Sequence, residues 1–147
     1  ALRMEPTRLL WMAPLLSGGG YSSEALGLVL GLHNASTGRR DLSVGVRQFA
    51  EQPDEAFVAG LPRSVRRRLH TLFEEGSSAT AAAGAVVCHS TPDAWMPSKF
   101  PGWDELAPCP PPQARVKLRI FFWGGAGEEG TSDRECPWQA SLIWLPP

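Results

Sequence analysis

Apolar residues along the chain follow two different periods. Leu9, Leu10, Trp11, Met12 and Ala13 are contiguous, the pattern of a strand covered on both faces. Pro14 limits how far that strand can run. Ser17, Gly18, Gly19 and Gly20 follow. Three consecutive glycines favour neither strand nor helix and suit a tight turn that brings backbone close to a ligand or a neighbouring element. Ala25, Leu26, Leu28, Val29, Leu30 and Leu32 then predict a largely buried helix. Ser22 or Ser23 is its expected cap, with Glu24 in the first turn, where a carboxylate suits the helix dipole. Gly27 and Gly31 share a helix face and would allow close approach to a sheet. Together these features predict a βα unit with its glycine turn at the C-terminal edge of a parallel sheet, the edge where open α/β sheets bind ligands.

Leu42, Val44 and Val46 alternate with polar residues and glycine between Asp41 and Phe49, predicting a second strand. Asp54 is expected to cap a short helix over Glu55–Ala59, closed by Gly60. Ser64 opens another, with Val65, Leu69, Leu72 and Phe73 on one face. The run from Gly76 to Ala83 reads as a low-complexity connection, and Gly84 to His89 as a short buried strand. This order predicts an α/β fold with a Rossmann-like, doubly wound parallel sheet, in which Leu9–Ala13, Leu42–Val46 and Ala85–Cys88 are neighbours. Seven prolines between Pro92 and Pro112 exclude regular helix and central strand there. That segment reads as a surface wrap, with polyproline conformation at Pro110–Pro112. Val116, Leu118, Ile120 and Phe122 predict one more strand. The glycine-rich polar stretch that follows offers no further βα unit, so the tail from Gln113 is expected to be weakly ordered, with fast amide exchange across Gly124–Arg134.

At 147 residues the chain has room for one domain with a real core, and its 43% apolar and 20% charged content is that of an ordinary globular protein. A net charge of -1 gives no global attraction to nucleic acid or to an anionic membrane. Arg66, Arg67 and Arg68 have no interleaved aromatics and read as a solvated helix face. No stretch reaches the roughly 20 apolar residues of a membrane span. Cys88, Cys109 and Cys136 are widely spaced and odd in number. They point away from a disulfide framework or zinc knuckle and toward a reducing, cytoplasmic setting. HExxH and GxSxG motifs are absent from the sequence, which gives no support to a metalloprotease or a serine hydrolase.

The glycine loop admits several readings. A dinucleotide fingerprint needs three spaced glycines and an acidic residue at the end of the second strand. Here Ser23 takes the third glycine slot, and Asp41 sits at the wrong end of that strand. A Walker loop needs a lysine that is not there. The turn is then structural, borders a sugar or phosphate through backbone N–H groups and the helix N-terminus, or serves a nicotinamide oxidoreductase with an incomplete fingerprint. His89, at the end of its strand, is directed to the same sheet edge, as a structural histidine or as a general base. Trp95 could stack on a sugar or plug the core.

The blocks LLWMAPLLSGGGYSSEALGLVLGL and VVCHSTPDAW resemble the N-terminal half of plant glycosyltransferases of the "glycosyl transferases group 1" kind, over Arg8 to Pro112. The resemblance implies a GT-B fold, with two Rossmann-like domains and the active site in the cleft between them. It implies that this domain mainly holds the acceptor, with a nucleotide-sugar donor as substrate and no resident cofactor or metal. Gly18, Gly19, Gly20, Ser22 and Trp95 would then border the donor and substrate, and His89 would be the catalytic residue. Beyond Pro112 the family pattern stops. The reading is therefore of an N-terminal domain over residues 8–112, truncated before its C-terminal partner domain and followed by an aberrant tail. Such a fragment is expected to be inactive alone. The alternative is a non-catalytic Rossmann-like binding module.

Overall fold

A computed structural model describes residues 7–79, 84–91, 109–112, 114–123 and 139–145. The fold is α/β and Rossmann-like. Strand β1 (Thr7–Ala13) is followed by helix α1 (Gly20–Ser36), strand β2 (Leu42–Gln48), helices α2 (Glu55–Gly60) and α3 (Arg63–Ala79), and strand β3 (Ala85–His89). Strands β4 (Val116–Trp123) and β5 (Gln139–Leu145) complete a sheet of order β2-β1-β3-β4-β5. The first three strands are parallel neighbours, as their apolar runs predict; β4, expected only as a strand, joins them in parallel beside β3, and β5 pairs antiparallel to β4.

The contiguous apolar run of β1 suits its interior place between β2 and β3. Leu9 pairs with Val44 on one side and Ala85 on the other. Alternate residues serve two separate apolar clusters. Trp11 and Ala13 join Ala25, Leu26 and Val29 of α1 and Leu69 and Leu72 of α3. Leu10 and Met12 join Val86, Cys88, Cys109 and Ala114. Leu10 and Ala13 are fully buried. Burying a large aliphatic side chain contributes roughly 1.5–3 kcal/mol.

Helix α3 runs past Phe73 to Ala79, so the first residues of the expected low-complexity connection, from Gly76, are helical. Gly76 lies in a backbone-to-backbone approach of this helix to β2. A Cβ on Gly76 would lie 2.0 Å from the Val46 carbonyl oxygen, and one on Gly45 would lie 2.5 Å from the Gly76 nitrogen. Only glycines at both places let α3 seat on β2. Gly27 and Gly31, by contrast, are exposed with open space around them, and Leu28 beside them is 41% exposed. They mark the outer face of α1 and not its sheet contact.

Two further expectations change. Cys88 and Cys109 are disulfide-bonded, with Cα atoms 5.9 Å apart. Sequence spacing hid this pair because the chain leaves β3 and returns to it. Pro110 is buried, and the Ala114 N–H donates to the Pro111 carbonyl at 3.1 Å. Pro110 is therefore packed into the fold and not on a surface wrap, while Pro112 is exposed. Two of the five strands lie beyond Pro112, and Gly124–Arg134 lies outside the described residues.

Candidate functional site at the β1 and β3 ends

The chain moves from β1 outward to β2, then returns past β1 to β3. The strand order thus reverses between β1 and β3, and a crevice opens beyond the C-terminal ends of strands at such a point. The glycine loop follows β1 and His89 ends β3. Because Met12 pairs with Cys88 in a parallel register, both features stand at one sheet edge.

The loop is held open by specific contacts. Gly18 has φ +80, and a Cβ there would meet Phe57 side-chain atoms from 3.2 Å. A left-handed conformation pressed against a ring favours glycine twice over. Gly19 is the N-cap of α1, so neither Ser22 nor Ser23 fills that role, and no side chain caps the helix. Gly18, Gly19 and Gly20 are exposed. Ser22 is fully buried. Its hydroxyl donates to the Pro14 carbonyl, accepts from the Gly18 N–H at 3.0 Å and lies 2.8 Å from the Ser17 hydroxyl. Ser22 therefore shapes the loop from beneath and is not on the surface a ligand meets.

Tyr21 of the first helical turn brings its ring to 5.6 Å from the His89 ring, edge-on, and Trp11 of β1 approaches at 5.9 Å. His89 is fully buried between them. Its Nε2 lies 3.8 Å from the Glu24 carboxylate, whose side chain is partly exposed. Burial drives the His89 pKa down to about 4 and raises that of Glu24. Both shifts oppose charge, so the two do not form a strong ion pair at neutral pH: His89 is neutral there. A neutral imidazole can accept a proton, and Glu24 is placed to stabilise the imidazolium that results. Glu24, expected in the first turn of the helix for its dipole, lies beyond the first turn of α1. Its place one helical turn beyond the glycines was the available clue to its meeting with His89.

The next loop is tied to the glycine loop. Gln48 Oε1 accepts from the Leu16 N–H at 3.0 Å while Gln48 Nε2 donates to the Glu51 carbonyl at 2.7 Å. The Asp54 N–H donates to the Leu16 carbonyl at 2.8 Å, and the Asp54 carboxylate caps α2 through the Phe57 N–H at 3.0 Å. Asp41 lies at the opposite sheet edge and is held by Arg39, at 2.6 Å. It is therefore unavailable to a ribose at the glycine loop. Trp95 lies outside the described residues. Among the described residues no three metal-ligating side chains converge, and no helix is long and apolar enough to cross a membrane. The chain matches no protein-family model, no curated protein and no solved structure.

Proposed function

We propose that the chain is the acceptor-side domain of a nucleotide-sugar-dependent glycosyltransferase, with Gly18, Gly19 and Gly20 bordering the donor and His89 as the base. The observation that supports this reading is the juxtaposition of the exposed glycine loop, the start of α1 and the His89–Glu24 pair at the point where the strand order reverses. The backbone N–H groups at the start of α1 suit an anionic phosphate. Deprotonating an acceptor hydroxyl calls for a neutral imidazole; burial keeps His89 neutral but also weakens it as a base, so on this reading Glu24 must stabilise the imidazolium that forms. Transfer on this reading requires a second domain to close the cleft, since positioning donor and acceptor together can lower a barrier by roughly 7–11 kcal/mol. The plant origin of the resembling family extends to this chain only as part of the same proposal. So does the cytoplasmic setting, and the Cys88–Cys109 bond weighs toward an oxidising one.

One observation favours a second reading, a non-catalytic binding module: the His89 side chain has no exposed surface. On the first reading Tyr21 must swing aside for an acceptor to reach it.

Titration with UDP- and GDP-sugars, NADH and free glycans separates the readings. Sugar nucleotides should bind more tightly than NADH. Gly19→Asp is the sharpest variant, because open space surrounds that Cβ and aspartate is a good N-cap. The fold should persist while the added carboxylate repels the phosphate and weakens binding about tenfold or more. Unchanged binding by Gly19→Asp would remove the donor from this loop.

A further inference from the structure

A cavity that His89 does not line opens at the end of β2. Its volume is about 470 Å³, and its apolar wall includes Met12, Phe49 and Phe73. Arg47 and Glu51 bring one cation and one carboxylate to the same cavity. Arg47 pairs with Met12 in the β1–β2 register, which sets the cation beside the apolar floor. Between them, Ala50 holds φ 74, a left-handed backbone rare for a residue with a Cβ. Strain of this kind persists where surrounding structure enforces it, and it concentrates at ligand sites. The enforcing contact is visible: Gln48 grips the Glu51 carbonyl and the Leu16 N–H at once.

We infer that this cavity binds a small molecule with a planar apolar body and a zwitterionic head, of which the aromatic amino acids are the simplest class. The ring would lie against Phe49 and Phe73, the carboxylate would meet Arg47, and the ammonium would meet Glu51. The mixed charge at the cavity decides this head group: a plain anion would face Glu51, and a plain cation would face Arg47. The site is independent of the glycosyltransferase reading and stands whether or not the chain binds a sugar nucleotide.

The test uses the full 147-residue chain and four probes: L-tryptophan, tryptamine, 3-indolepropionate and indole. Amide and aromatic resonances report the location and calorimetry the affinity. L-tryptophan should perturb Phe49, Ala50 and Phe73. It should bind about two- to fivefold more tightly than either singly charged analogue, the scale of an exposed ion pair. Arg47→Gln should weaken L-tryptophan and leave tryptamine unchanged, and Glu51→Gln should weaken L-tryptophan and leave 3-indolepropionate unchanged. Both residues are exposed, so these variants are expected to fold. The inference is overturned if L-tryptophan binds no better than indole, if its perturbations fall elsewhere, or if no probe saturates.

Discussion

His89 carries the clearest pH signature. Its pKa falls from 6.5 to about 4 in the folded chain because burial penalises the imidazolium. The unfolded chain therefore binds more protons between those values. The stability owed to neutral His89 is fully present above pH 6.5 and is lost as pH falls toward 4, by up to about 3 kcal/mol. Glu24, with its pKa raised, acts in the opposite sense and offsets part of that loss. Urea unfolding of the wild type should thus lose stability between pH 7 and 4.5 more steeply than His89→Gln, and equal slopes would contradict the burial account. Gly76 makes a geometric prediction. Gly76→Ala puts a methyl 2.0 Å from the Val46 carbonyl and should cost at least about 2–3 kcal/mol, read as a lower denaturation midpoint. Neither Gly76 nor Ser22 was legible in the sequence as a packing residue. Gly-Ser-Ser reads as a linker by propensity, whereas in the fold it is helical and Gly76 packs backbone on backbone against β2.

At the level of elements, apolar periodicity was enough for β1, β2, β3 and β4, because each is a short apolar or alternating run bounded by turn residues. The start of α2 was equally legible, since Asp54 accepts from the Phe57 N–H as an N-cap should. Asp54→Ala should lower stability by about 1 kcal/mol, measured by thermal unfolding. The facing of α1 was not legible. Its apolar residues surround the helix, so the pattern could not tell that Gly27 and Gly31 look outward. Strand β5 needed a partner strand to define it, and the short apolar run before the final prolines gave no independent signal.

Across the whole molecule, the candidate site was legible as topology before it was legible as contacts. A glycine loop after β1 and a histidine ending β3 must share an edge if both strands are parallel, and they do. What the sequence could not give was the depth of His89, its meeting with Glu24 and Tyr21, or the bond between Cys88 and Cys109. That bond spans 21 residues and fastens the Cys109–Pro112 segment to the end of β3. Its reduction should destabilise the fold by about 3 kcal/mol, seen as a lower unfolding midpoint in dithiothreitol than without it. On the proposed function, the glycine loop and His89 form one site for a sugar nucleotide and its acceptor. The most direct measurement is a residue-resolved map of amide shifts under a saturating UDP- or GDP-sugar. The account predicts that Gly18, Gly19, Gly20, Tyr21 and His89 move together along one binding curve. Saturation with those residues unmoved, or the absence of any binding across the panel, would contradict it.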